Sequence, residues 1–312
     1  MDFKKQRIVY MGTPEISAFV LDGLVQAGYQ IVGLIAQPDK PIGRNKVLEP
    51  VPTKVVAMKY DIPVYQPIKI RLDWSFIHDL APDLIVCFAY GQIIPQGLLD
   101  APKLGCVNLH GSLLPKYRGA APMQYALMHG DKVTGVTLMQ MIDKMDAGLM
   151  YAKKEIPLSE DDSLKTLSEK MAKTALALAL ETLPNYMNGL YKGEAQNEEE
   201  VVFSPSISKA QEHIDLTKSA VEVVNYIRAL NDTPGAYLLD GENHLKVYRA
   251  KVMNQLVEAE LGTIVKADKQ GLWMQCKDGQ IALLELQKEG KKIVDYKSFV
   301  NGERDLIGRK LT

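Results

Sequence analysis

Cysteine is scarce, three residues in 312, and Cys87, Cys106 and Cys276 lie far apart with no C-x-x-C pair. That spacing argues against a disulfide framework or a thiolate zinc site and fits a reducing compartment. The three are expected to be buried small hydrophobes. The five histidines form neither H-x-x-x-H nor H-E-x-x-H, so no metal is expected. No uncharged apolar run reaches the roughly eighteen residues of a membrane span. The start, Met1 to Arg7, leads into a strand-like run instead of a secretory leader, which predicts a cytoplasmic protein with no membrane partner. Charge of one sign is missing too: 37 Lys+Arg stand against 38 Asp+Glu, so no global field advertises a nucleic acid. Neither G-x-G-x-x-G after the first strand nor a Walker A loop occurs, and Ser112 lacks the G-x-S-x-G elbow. Dinucleotide dehydrogenases, P-loop enzymes and serine hydrolases are thereby disfavoured.

What is present is an ordinary globular composition, 46% hydrophobic and 24% charged, in a chain long enough for two domains. The first part alternates strand and helix. The apolar run Ile8–Met11 is followed by Gly12, Thr13 as N-cap and Pro14 at the first helical position, and the helix buries Ile16, Val20 and Leu24 before Gly28. Further strands are predicted at 31–35, 84–89, 106–110 and 136–141, with helices at 120–129 and from Ser163, where Leu164, Leu167, Met171, Ala175 and Leu178 recur every three or four residues. This predicts an α/β domain over 1–190, with a doubly wound, mostly parallel sheet. Residues 191–207 read as a linker, with Glu198, Glu199, Glu200 and a Ser-Pro-Ser run. Residues 208–312 read as a smaller β-barrel with a helix at 220–229 and an Asp278-Gly279 hairpin.

The stretch from Gly105 to Pro115 carries the most information. In a strand, Asn108 and His110 share one face while Val107 and Leu109 pack the other. An amide and an imidazole at the carboxyl end of a parallel strand stand where open α/β sheets bind ligands; hydrogen-bonding residues closing a strand would look the same. Asp143 and Asp146 lie in a loop after another predicted strand, so either carboxylate could approach the imidazole, and Asp-x-Gly is also turn chemistry. The loop from Gln37 to Lys46 carries cations including Arg44 and Lys46, and otherwise reads as a solvated loop.

Asn108-Leu109-His110-Gly111-Ser112-Leu113-Leu114-Pro115, the following Lys116 to Pro122, and the Asp146-Ala147-Gly148 turn together resemble the folate-dependent formyltransferases. Met11 to Glu15, Gln37 to Arg44, Ala89-Tyr90-Gly91, Gly135 to Met141 and Ile227 to Asn231 extend the resemblance over nearly the whole chain. It implies a Rossmann-like core with an OB-like C-terminal barrel, and formyl transfer from 10-formyltetrahydrofolate. Asn108, His110 and Asp146 would be catalytic, and Ser112, Leu113, Leu114, Pro115 and Tyr90 would line the folate site. Arg118-Gly119-Ala120-Ala121-Pro122 resembles the branch that formylates initiator methionyl-tRNA for translation initiation. There Arg44 and Lys46 would meet the tRNA, with Lys288, Lys291 and Lys292 on the barrel, and the protein would act as a monomer. Two departures stand out: Leu149 replaces a second acid the family often carries, and Asn45 and Val47 flank Lys46, a milder basic loop. Charges nearly balance from Lys209 onward, so the tRNA expectation rests on the resemblance. The alternatives are a formyltransferase acting on a small amine such as an amino-sugar nucleotide, for which the barrel and the loop 38–52 would be surplus, a hydrolase releasing formate, and a non-catalytic RNA-binding module.

Overall fold

The computed structural model describes residues 3–42, 47–231, 233–253 and 259–312, and the chain divides into two units. The first takes Met1–Pro122, Val133–Pro157 and Ser168–Pro205; the second takes Met123–Lys132, Leu158–Leu167 and Ser206–Thr312. In chain order the elements begin with β1 (Arg7–Gly12), α1 (Glu15–Gln26), β2 (Gln30–Ile35), β3 (Lys40–Ile42), β4 (Val47–Glu49), α2 (Pro52–Lys59) and β5 (Val64–Tyr65). They continue with α3 (Ile77–Leu80), β6 (Leu84–Phe88), α4 (Gln96–Leu99), β7 (Cys106–His110), α5 (Pro122–Met128), β8 (Val133–Gln140), β9 (Met150–Pro157) and α6 (Leu164–Met187).

The first unit is built on a seven-stranded sheet ordered β5-β2-β1-β6-β7-β8-β9. The pairs from β5 to β7 are parallel, and β8 and β9 add antiparallel strands at one edge. All of β6 is buried, and Ile8 to Met11 of β1 are at most 1% exposed. Such unbroken apolar runs belong to strands covered on both faces, and each side chain so buried contributes about 1.5–3 kcal/mol. The strand order reverses between β1 and β6, the switch point at which open α/β sheets leave a crevice beyond their carboxyl ends.

The structure refines several expectations. Pro14, not Thr13, caps α1: its carbonyl accepts from Ser17 and Ala18 at 2.9 and 3.0 Å, and Thr13 Oγ1 instead accepts the Gln37 amide at 3.2 Å. The strand expected at 136–141 is β8, three residues earlier and antiparallel. Residues 191–205 run along the first unit, where Glu194 exchanges two 2.8 Å backbone bonds with Met150, and Arg118 pairs with Val202 and Ser204. The cysteines are free and buried as expected, and burial pushes the thiols of Cys87 and Cys276 up to about 12.

The second unit holds α7 (Ala220–Leu230), β10 (Ala236–Asp240), β11 (Asn243–Met253), β12 (Ile264–Asp268), β13 (Gly271–Gln275), β14 (Gln280–Lys288), β15 (Val294–Asp295) and α8 (Tyr296–Gly302). Ser219 and Glu222 form a capping box that starts α7, whose apolar face of Ala220, Val223, Ile227 and Leu230 joins the core of this unit. The strands run antiparallel in the order β10-β11-β14-β13-β12. The last residues close that sheet. Thr312 exchanges two backbone bonds with Leu239 of β10, while Gly308 and Arg309 bond to Ile264 of β12 and Leu311 to Gly262. One tail thereby satisfies both open edges, which makes the sheet a barrel. Gly262, at φ +77°, is needed at this seam, because a Cβ there would stand 1.9 Å from the Leu311 carbonyl oxygen.

Leu311 is 1% exposed in the same core. Leu311→Ala should destabilise the barrel by about 2–5 kcal/mol in urea unfolding. An unchanged midpoint would mean that the tail merely lies on a barrel already closed.

Candidate active site

The crevice end of the sheet gathers side chains from β6, β7 and the loops that follow them. After β6 the chain turns through Ala89 and Gly91, both at positive φ, and folds Tyr90 inward to 3% exposure. The Tyr90 carbonyl accepts from Gln37 Nε2 at 3.0 Å. Its hydroxyl is buried without a hydrogen-bond partner among the described residues, and burial raises its pKa. A buried phenol in that state is a donor awaiting an acceptor.

On β7, Val107 and Leu109 are at most 1% exposed and face the core, which leaves Asn108 and His110 on the opposite face. Asn108 pairs in register with Cys87 of β6 and Met139 of β8. It is half-buried, and no hydrogen bond engages its amide among the described residues. His110 is 5% exposed: Nε2 donates to the Tyr117 carbonyl at 2.8 Å, and Nδ1 faces Asp146 Oδ2 at 3.6 Å, beyond hydrogen-bond distance. Of the two candidate carboxylates, Asp143 is exposed and Asp146 is turned inward, with Oδ2 accepting the Gly119 amide at 2.8 Å.

The turn between His110 and Gly119 is held from below by β8 and β9. Thr137 Oγ1 donates to the Ser112 carbonyl at 2.7 Å and accepts the Leu114 amide at 3.1 Å; Lys153 Nζ donates to the Leu114 carbonyl at 2.6 Å. Ser112 Oγ donates to the Lys116 carbonyl at 2.6 Å, and Leu114 packs with Met139 and Met150. Ser112 and Leu114, at 0% and 1% exposure, therefore build the turn, while the half-buried Leu113 and Pro115 are open to the surface.

Sequence reasoning missed the residues beneath Asp146. Gln196 Nε2 donates to the carbonyls of Asp146 and Gly148 at 2.8 and 2.9 Å, and Gln196 Oε1 accepts from the buried Arg118 at 2.9 Å. Gly119, at φ +124°, brings its amide to Asp146 at a point where a Cβ would meet the Ser204 carbonyl oxygen at 2.6 Å. The signal available was an arginine at the head of a run of small residues, Gly119, Ala120 and Ala121. Arg44 and Lys46 lie outside the described residues. On the second unit, Lys291 and Lys292 are exposed, whereas Lys288 is paired with Glu303, which also takes Arg309 at 3.2 Å. Its charge is already committed. Among the described residues no group of three or more His, Cys, Asp or Glu side chains could hold a metal, and no helix is long and apolar enough to cross a membrane.

The chain matches the formyl transferase model over residues 6–183 and the formyl transferase C-terminal domain model over residues 206–304. Methionyl-tRNA formyltransferase of Lactobacillus johnsonii is 43% identical over 298 residues, covering 95% of each chain. That of Bacillus subtilis is 44% identical over 300 residues, covering 95% of this chain and 94% of its own. Among solved structures, an N-formyltransferase of Helicobacter canadensis in complex with folinic acid and dTDP-3-aminofucose superposes with a TM-score of 0.69 at 18% identity. It covers 91% of this chain and 99% of its own.

Thr137 is fully buried, and valine in its place would keep the shape while leaving the Leu114 amide and the Ser112 carbonyl unpaired. Thr137→Val should cost about 1–3 kcal/mol in denaturant unfolding; a neutral result would show that the turn stands without it.

Proposed function

The chain belongs to the formyl transferase family, and on that premise we propose that it transfers the formyl group of 10-formyltetrahydrofolate to the free α-amino group of methionyl-initiator-tRNA, giving N-formylmethionyl-tRNA for translation initiation. The observation that carries this reading is the high identity to methionyl-tRNA formyltransferases along both units. The Helicobacter sugar enzyme shares only the fold. A second unit of this kind is therefore no mark of a tRNA substrate by itself, and the small-amine alternative is disfavoured by sequence identity, not by the barrel. We place the enzyme in the cytoplasm, acting as a monomer.

The site suits a folate donor. The Asn108 amide and the buried Tyr90 hydroxyl are polar groups without partners among the described residues, and Leu113 and Pro115 offer apolar surface on the neighbouring turn. When bound, the folate supplies the formyl carbon and departs as tetrahydrofolate. His110 Nε2 is committed to the Tyr117 carbonyl and Nδ1 faces Asp146, so we assign to Asn108, the unpartnered amide on the same strand face, the formyl oxygen on which negative charge develops as the amine attacks. We assign to the Asp146 carboxylate the proton that the amine sheds, which the departing folate nitrogen then takes up. Cys87, the in-register neighbour of Asn108, is held as a thiol by burial and offers no nucleophile. Transfer is then direct, without a formyl-enzyme. Arg44 and Lys46 are assigned to phosphates of the acceptor arm, where they would add affinity without reading sequence.

Wild-type protein should formylate methionyl-initiator-tRNA and leave an amino-sugar nucleotide untouched. Asn108→Ala should lower kcat by about 10²- to 10³-fold, as removal of one such donor does. Turnover of the small amine with none of the tRNA would overturn the assignment of substrate, and full activity of Asn108→Ala that of its role. Arg44→Ala should raise KM for the tRNA and weaken its salt dependence while kcat stays unchanged. A fall in kcat alone would place Arg44 in the chemistry instead.

A further inference from the structure

Asp146 occupies the left-handed region at φ +48°, where a residue with a side chain persists only if its surroundings hold it. Its carboxylate is held by the Gly119 amide, and its backbone by Gln196, whose single Nε2 group bridges the carbonyls of Asp146 and Gly148. The orientation of the Gln196 amide is set in turn by Arg118, whose Nε–H donates to Oε1. Rotated the other way, that amide would set its oxygen against two carbonyl oxygens and its NH₂ against a guanidinium.

We propose that Arg118 and Gln196 are positioning residues for formyl transfer, a relay that aims the Asp146 carboxylate at His110 and at the attacking amine. The inference rests on the reading of Asp146 as the group that serves the amine. Stability alone explains this relay poorly. The Arg118 side chain is 0% exposed, and burying a guanidinium is costly. Its acidic partner, Glu198, is 60% exposed and 2.8 Å away, so the pair lies partly in solvent. An apolar side chain would fill the same space without that cost.

What arginine adds is a rigid fork of donors. Its Nε holds Gln196 beneath the Asp146 backbone, while its terminal nitrogens hold Glu198. Glu198 also accepts from Lys144, which sits two residues before Asp146 on the same turn, at 3.3 Å. Both cations hold the Glu198 carboxyl below the usual carboxylate range, Arg118 more than Lys144. The fork therefore grips the Asp146 turn at two places, through the amide under its carbonyl and through the carboxylate beside Lys144. The neighbours of Arg118 complete the arrangement: Tyr117 supplies the acceptor for His110 and Gly119 the donor for Asp146.

A double-mutant cycle on the full-length enzyme, read as kcat and as KM for methionyl-tRNA and the folate donor, tests this. Gln196→Ala should lower kcat by about 10²-fold with both KM values nearly unchanged, as expected when a reacting group is misplaced by about 1 Å. Gln196→Ala combined with Asp146→Ala should be no slower than Asp146→Ala alone, because the relay acts only through that carboxylate. Gln196→Met, which keeps the volume but not the donor, should reproduce the loss in a protein that still folds, at a melting temperature lowered by the two carbonyls and the Arg118 Nε–H left unpaired. Losses that multiply in the double variant, or wild-type kcat in a folded Gln196→Met, would overturn the relay while leaving Asp146 in place. Wild-type kcat in Asp146→Ala would overturn the reading on which the relay rests.

Discussion

Three consecutive residues, Tyr117, Arg118 and Gly119, hold both halves of the His110 and Asp146 pair. The Tyr117 carbonyl accepts a hydrogen bond from the imidazole Nε2–H and the Gly119 amide donates to the carboxylate, with the Arg118 side chain buried between. The orientation of that pair depends on where this segment runs. Its backbone is stitched to Val202 and Ser204, and the single Ser204 Oγ proton is shared between the Tyr117 and Arg118 carbonyls. A segment with so many bonds to a distant part of the chain behaves as part of the scaffold, and a preorganised scaffold is what lets a few donors stabilise developing charge without reorganising at the moment of reaction.

The division of labour follows from which polar atoms are already used. His110 has Nε2 committed to the Tyr117 carbonyl and Nδ1 facing Asp146, Asp146 has one oxygen committed to Gly119, and Asn108 has its amide free among the described residues. A free donor beside an oriented acid and imidazole suits acyl transfer to an amine, in which one oxygen gains charge while one nitrogen loses a proton. The buried Cys87 in the neighbouring strand fits the same economy, since a thiol kept protonated cannot compete as a nucleophile.

Much of this was legible in the sequence, for reasons that differ by element. Asn108 and His110 were readable because strand geometry forces alternate residues onto one face, and β6 and β7 because continuous apolar runs between turn residues have few other homes. The choice of Asp146 over Asp143 was open from the residues and came from the family resemblance, since a turn can present either carboxylate. The antiparallel edge was not legible. The chain between β7 and β8 contains α5, the usual sign of a parallel crossover, yet β8 returns antiparallel. Gln196 was hidden for another reason: its partners lie 48 to 78 residues away in the chain, and its local setting is a polar, glutamate-rich stretch that reads as a connection.

The most direct measurement on this arrangement is the ¹⁵N spectrum of the His110 ring in the folded enzyme near neutral pH. Nε2 should carry a hydrogen bonded to the Tyr117 carbonyl, with slow solvent exchange, and Nδ1 should respond when Asp146 is changed to asparagine. A bare Nε2, with the ring proton on Nδ1 alone and indifferent to Asp146, would contradict this arrangement, because the segment from Tyr117 to Gly119 would then hold neither partner in the orientation that the chemistry needs.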